Sequence, residues 1–547
     1  MFQRWKQEMD NGNIAMTMHD FATAEKHFES AIKESEKFGH NNLSLAQSLE
    51  RKGDAILGQS PLENERAEEC FLLFEKASGI YEATAGPVGA KVADCLTTMA
   101  KLILPYDKRE SEKFSRRAAT IYEELNSNKI IEPLEIIICI RHMDDDAEGK
   151  NKLLQELIDR FESNPDQSYL AKGLLIRARF HDDDKEAIKD YERALPLLHD
   201  STENIPLVVD ASVKLGRLLF QKEEFLSAEN AFDNAISKGQ CAPEVDASTL
   251  EEAFCRKARL KAYYYRDFTE AERLLEQAES IKKSNPTGMR PIGSGVDLER
   301  IYLAAASGNT DMRRKQQQRD LEQVNNAFHD APELETLHLM GVARTEMSLA
   351  ETLIEEGNTD EAFQLWESAL QKAPFEWMKD EAMVKMAYAY AKCGDVEKAT
   401  QLADATHKSI TAGSLPNILS FAMIAEYLIG RPDSADRFAG MLREQIDTAK
   451  QEKDDTYGIA IVACLSLAYA LFCQGKTQAA LDAVNEAITC GDCQSLFTAV
   501  TYENWSYKFK AANAQELVDI LLQKAESIRD IVRERESRKS PIAPTIQ

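Results

Sequence analysis

The sequence is short of most things that would place it quickly. Its 547 residues include 24 glycines, 16 prolines, 4 tryptophans and 10 cysteines. The cysteines are scattered, mostly singly, through helix-like stretches. That is not the dense framework of a small secreted domain, so reduced thiols and a cytoplasmic location are expected. The N-terminus, Met1-Phe2-Gln3-Arg4-Trp5-Lys6-Gln7-Glu8, has no apolar segment of the secretory kind. The longest apolar run, Ile459 to Cys473, falls short of the roughly 20 residues that cross a bilayer and reads as a buried helix. Positive charge is scarce: 66 Lys and Arg stand against 92 Asp and Glu, a net charge of −26. Such a chain repels phosphate backbones and anionic lipid, which argues against nucleic-acid and membrane-surface binding. No segment alternates as a half-buried strand does. There is no GxxxxGKS/T loop, no GxGxxG after a strand, no HExxH and no GxSxG, so no catalytic residue, cofactor or metal site is expected.

Length alone would indicate three or four globular domains. The local pattern indicates something else. Phe21, Ala24, Phe28 and Ala31 recur as Phe225, Ala228, Phe232 and Ala235, then as Phe268, Ala271, Leu275 and Ala278. Thr359, Ala362, Trp366 and Ala369 follow, and then Thr477, Ala480, Val484 and Ala487. Spacings of three and four put each set on one helical face, with alanines for close approach and a large residue beside them. A second helical segment precedes each set. It carries a small residue at a matching place: Gly12, Gly53, Ala100, Ala387, Ala468. Short turns such as Lys392-Cys393-Gly394-Asp395 and Gln474-Gly475-Lys476 join the two.

This pattern resembles the tetratricopeptide repeat. Two early units are similar to the longer kinesin-light-chain type: they share the endings Ile80-Tyr81-Glu82 and Ile121-Tyr122-Glu123, with Gly86-Pro87 after the first. The resemblance implies an all-α fold, a right-handed α-solenoid of antiparallel helix pairs. Thirteen pairs fit, at 5–38, 43–83, 88–125, 132–163, 166–199, 206–239, 247–284, 294–330, 333–373, 378–410, 416–448, 456–490 and 495–534. Over 547 residues this is about 42 per pair, against 34 for the family. The Gly- and Pro-rich stretch 287–295 is the expected linker between an N-terminal array, 1–286, and a C-terminal array, 296–534. The final helix is expected to act as a polar cap, charged from Arg529 onward, before a disordered tail over 535–547.

Several local features have two readings. Cys490-Gly491-Asp492-Cys493 has the spacing of a redox pair or half a zinc site. No second CxxC or histidine pair completes four ligands, so an inter-repeat turn is the expected role, with metal or redox use of Cys490 and Cys493 a remote alternative. Asp144–Gly149 resembles a calcium loop, but position twelve is Gln155, not Glu. That stretch and the run from His181 to Asp184 read as helix caps. Arg313, Arg314, Lys315 and Arg319 form the clearest basic cluster. They are either a solvated face or a docking site for an acidic partner, another copy of this chain included.

In the family, first helices line a concave groove that holds ligand peptides. The resemblance carries the groove positions to Val213, Arg217, Phe220 and Gln221, to Arg256, Tyr263 and Tyr264, and to Tyr388 and Lys392. It carries them also to Ile424 and Tyr427, and to Leu465, Tyr469 and Phe472. The family's chaperone-tail clamp is not expected, because Met9, Arg51 and Asp94 stand where Lys, Asn and Lys belong. The expected function is a non-catalytic scaffold or adaptor for a protein or peptide. A ligand-responsive regulator acting on a separate output protein is the alternative.

Overall fold

The computed structural model describes residues 2–539, apart from 19, 40–41, 60–63, 199–203, 243–244, 285–294, 327–334, 452–456 and 491–494. Among them there is no strand, and 26 α-helices follow one another as consecutive pairs. Two compact units divide the chain, Met1–Leu215 and Gly216–Gln547. Residues 287–294 of the expected linker lie outside the described residues, and the linker falls within the second unit.

In the first unit α1 (Phe2–Thr17) pairs with α2 (Phe21–Ser35), and α3 (Leu43–Leu57) with α4 (Asn64–Ala85). α5 (Ala90–Ile103) and α6 (Lys108–Glu124) follow, then α7 (Ile131–Met143) with α8 (Ala147–Glu162) and α9 (Gln167–Phe180) with α10 (Asp184–Ala194). The division into units falls inside α11 (Ile205–Gln221), which is followed by α12 (Phe225–Gly239). The second unit continues with α13 (Ala247–Leu260), α14 (Phe268–Ser284), α15 (Val296–Ser307), α16 (Thr310–Asn326), α17 (Glu335–Glu356) and α18 (Thr359–Lys372). It ends with α19 (Glu376–Cys393), α20 (Val396–Thr406), α21 (Pro416–Leu428), α22 (Pro432–Gln451), α23 (Tyr457–Cys473), α24 (Thr477–Thr489), α25 (Leu496–Ala511) and α26 (Gln515–Lys539).

Several helices begin where a side chain satisfies a free amide. Asp20 accepts from the Thr23 amide at 3.1 Å, and Ser495 from Thr498 at 3.2 Å. The two acidic runs do the same: Asp146 accepts from Gly149 and Asp183 from Lys185, both at 2.9 Å. Gly394, at φ 85°, ends α19 in the left-handed conformation that residues with a Cβ adopt at a cost.

In three pairs a glycine of the first helix is the seat for a phenylalanine of the second. A Cβ added at Gly12 would lie 2.5 Å from the Phe28 ring, at Gly53 2.6 Å from Phe74, and at Gly216 2.6 Å from Phe232. The three rings are buried. Helices paired in succession in this way make an all-α solenoid. The glycine seats also set a prediction. Gly216→Ala forces the Phe232 ring out of place and destabilises by about 1–3 kcal/mol. Gly79→Ala meets nothing within 4 Å in the middle of α4, and gains up to about 1 kcal/mol of helix propensity. Urea titration of both variants should therefore move the midpoints in opposite directions.

A polar contact repeats along the first unit too. Tyr81 donates to Glu50 at 2.6 Å, and Lys91 of the next pair donates to the same carboxylate at 2.6 Å. One repeat later, Tyr122 and Lys129 do the same to Asp94, at 2.5 and 2.7 Å. Each carboxylate thus ties the tyrosine of its own pair to the lysine of the next.

In the second unit Gln316 donates to Asp320 at 2.8 Å and to Asp297 at 3.2 Å, while Lys282 holds Asp297 at 2.8 Å. Burial raises the Asp320 carboxyl to about 6, and the nearby Asp297 carboxylate adds to the rise. A carboxyl whose folded value is raised is stabilising while protonated and loses that contribution as pH climbs through 6. Asp320→Asn should therefore gain stability over the natural chain as pH rises from 4 to 7.5, most steeply between 4 and 6. Thermal melts across that range measure it.

Candidate partner-binding surface

The groove positions inferred from the sequence fall into three groups. Val213, Ile424 and Leu465 are buried core, so they are corrected out of any ligand-facing set. Each lies on a first helix that is apolar on more than one face, where a groove position and a core position look alike. Arg217, Gln221 and Lys392 are exposed, and Lys392 sits 5.8 Å over the Tyr388 ring. Arg256 is half-buried and pairs with Glu252 at 3.3 Å, one turn earlier on its own helix. Tyr264 stacks on Phe225 at 4.9 Å, and Tyr388 lies 4.9 Å from Phe421. Tyr427 and Phe472 are half-buried.

The remaining groove aromatics meet α25. Phe220 and Tyr263 form T-shaped contacts with Phe497, at 5.8 and 6.4 Å. Tyr469 meets Trp505 and Phe509 edge-on at 6.3 and 5.7 Å. From Phe497 onward, α25 crosses the C-terminal ends of successive first helices. Phe497 is at the end of α11, Glu503 pairs with Arg266 just after α13, and the Tyr507 hydroxyl donates to the Ala306 carbonyl at the end of α15. Tyr507 comes so near the backbone there that a Cβ on Gly308 would lie 2.7 Å from its ring. Further along, Lys508 rests 4.6 Å over the Trp505 ring. Its side chain is exposed, while the protein around it disfavours the charge and lowers its ammonium pKa, against the pull of Glu351 and Glu355 on α17.

The final helix therefore departs from expectation. Its charge pattern predicts a polar cap facing water, but Arg529 is 1% exposed. Its guanidinium grips Glu503 with two nitrogens, at 2.9 and 2.8 Å, and donates a third bond to the Tyr263 carbonyl. That carbonyl belongs to a π-helical turn, Lys261–Tyr265, which extends α13 and ends at Arg266 with φ 57°. The wider turn leaves a carbonyl outside the usual ladder, and the arginine satisfies it. Farther along α26, Glu536 accepts from the Leu226 amide at 3.0 Å, and Arg535 pairs with Glu223 at 3.2 Å. Glu223 also caps α25 through the Leu496 amide at 2.7 Å. Residues 535–539, expected to be tail, are the last turn of this helix. Arg266, Glu503 and Arg529 escaped the sequence reading, because a buried ion pair between distant segments looks like any charged surface. Only the triple tyrosine at 263–265 marked the place.

Three residues of the basic cluster pair with carboxylates of the chain. Arg313 bonds Glu355, Arg314 pairs with Asp311 and Glu356 at 2.6 and 2.9 Å, and Lys315 pairs with Asp311 at 2.7 Å. Arg319 is exposed. Cys490 is buried, and burial together with the neighbouring Cys490 raises the Cys464 thiol far above its ordinary value. Cys493 lies outside the described residues. Among the described residues no group of three or more His, Cys, Asp and Glu could hold a metal ion, and no helix is long and apolar enough to cross a membrane.

Neither a protein-family model nor a curated protein matches the chain. Solved structures do align with it. One is a Rap protein complexed with Competence and Sporulation Factor, at 12% identity over 75% of this chain and 99% of that one, with a TM-score of 0.33. Another is the APC/C hetero-tetramer Cut9-Hcn1, at 10% identity over 98% and 96%, with a TM-score of 0.29. Scores this low carry no argument, and the fold stands on the helix pairing itself.

Proposed function

We propose that the protein is a non-catalytic interaction scaffold, and that the C-terminal ends of the first helices in the second unit receive a helix or extended segment of a partner. One observation carries the reading: this surface already accommodates a helix, α25, through the rings of Phe220 and Tyr263, Arg266 and the Ala306 carbonyl. Rings and guanidinium groups are the side chains that most often anchor interfaces, because they give much contact area or several directed bonds for little lost freedom. Arg217 and Lys392 border the surface and are exposed, so charge reversal there leaves the helix pairs intact. In affinity capture with the full chain as bait, Arg217→Glu with Lys392→Glu should lose the partners that the natural chain recovers, at an unchanged melting temperature. Equal recovery by both baits would defeat this placement. The same self-contact favours a second reading, a regulator whose surface is opened by its ligand before it acts on another protein.

A further inference from the structure

The two sides of α25 are held by different chemistry. One side is apolar and belongs to its own end of the unit. Tyr502 donates to the Ala487 carbonyl at 3.0 Å, Trp505 and Phe509 meet Tyr469, and α26 covers the rest with Leu517, Leu521, Ala525 and Ile528, all buried. The other side carries Phe497, Glu503 and Tyr507. At about 100° per residue these three fall within one third of the helix circumference. They face the other end of the unit across a seam made mainly of polar groups. The seam joins Arg266 to Glu503, Arg529 to the Tyr263 carbonyl, Tyr507 to the Ala306 carbonyl, Arg535 and the Leu496 amide to Glu223, and the Leu226 amide to Glu536. The cluster of Phe220, Tyr263 and Phe497 is the apolar exception.

Parting this seam leaves the apolar side of α25 covered by α23, α24 and α26. Most of what it uncovers is charged or hydrogen-bonding, and water solvates such groups again. Interfaces of this composition are the ones that come apart within folded chains. The receiving surface is also formed entirely by helices other than α25 and α26, so it persists when they leave.

We propose that the seam is an autoinhibitory contact: α25 is the resident occupant of the ends of α11, α13 and α15, and a partner helix replaces it. The partner carries the same face, an aromatic residue, a carboxylate six positions on and a tyrosine ten positions on. This rests on the scaffold reading and adds what occupies the surface before the partner arrives. A ligand for a surface that is free only part of the time binds with an affinity reduced by that fraction, so loosening the resident helix must tighten binding.

The probe is a labelled synthetic helix with the sequence of residues 495–512, added to the full chain. Arg535→Ala with Glu536→Gln weakens the hold of α26 without altering the receiving surface or the probe. The probe should bind this variant at least tenfold more tightly than it binds the natural chain. A probe carrying the Glu503→Gln change should bind the variant at least tenfold more weakly than the unaltered probe does. Equal affinity for natural and variant chains, or binding to neither, overturns the proposal and makes α25 a fixed structural element. Binding that ignores Arg266→Ala in the receiving surface also overturns it, while leaving the scaffold reading to the capture experiment. If the double variant loses its cooperative melt, Arg535→Ala alone gives the same comparison.

Discussion

Arg529→Ala lowers the stability of the Gly216–Gln547 unit by about 3–5 kcal/mol, the cost of removing one member of a buried ion pair. Arg529 and Glu503 are 1% and 4% exposed. The cost arises from what stays behind. Glu503 keeps Arg266 at 2.5 Å, which places the loss toward the lower end of that range. The Tyr263 carbonyl keeps no donor in its place, and a buried acceptor without a partner costs about 1–3 kcal/mol by itself. Arg529→Lys retains the charge but loses the planar fork that serves both carboxylate oxygens, so it recovers less than half of the loss. Urea titration followed by the fluorescence of Trp505, which lies on the same helix as Glu503, reads the effect where it occurs. A midpoint unchanged in Arg529→Ala would mean that the arginine faces water, as a terminal cap would.

The second large effect is expected at Trp366. Trp366 is 1% exposed and shares a buried cluster with Met347, Ala350, Leu353 and Tyr390. It follows Ala350 by sixteen residues, the interval that separates Gly12 from Phe28 and Gly216 from Phe232. It thus fills the same seat with a larger ring over an alanine. Trp366→Ala should cost about 3–5 kcal/mol, because it removes the burial of an indole and leaves a cavity that rigid helices cannot close. Away from the contacts of α25 and α26, each pair touches its neighbours, as in other solenoids. Hydrogen exchange should therefore accelerate in α17 to α20 and stay unchanged in α1 to α10. Even loss of protection along the whole chain would mean that the pairs do not behave as separable units.

The sequence is a good guide wherever the interaction is local. The spacing of Gly216 and Phe232, the turn at Gly394 and the caps at Asp146 and Asp183 all lie within a few turns of helix, so periodicity and capping chemistry report them directly. The thirteen pairs follow from such signals. What stayed hidden depends on residues far apart. Arg529 and Tyr263 are 266 residues apart, and Glu536 and Leu226 are 310 apart. No local pattern foretells that the last pair returns to the first pairs of its unit. Arg529 and Glu536 sit in a run of alternating charge that would equally suit a solvated face. The π-turn at 261–265 likewise has no signature in spacing. The groove candidates show the same division. Phe220, Tyr263 and Tyr469 were found by register, but only the fold reveals that α25 is their neighbour. Ile424 and Leu465 fit the register equally well and are core.

That return of α25 is the central claim, and a photo-crosslinker reads it directly. A benzoylphenylalanine replacing Phe497 in the full chain, irradiated at low protein concentration, should attach to residues 217–221 and 260–264, and mass spectrometry locates the adducts. Adducts confined to α23, α24 and α26, with none on the end of α11 or the π-turn, would contradict the account.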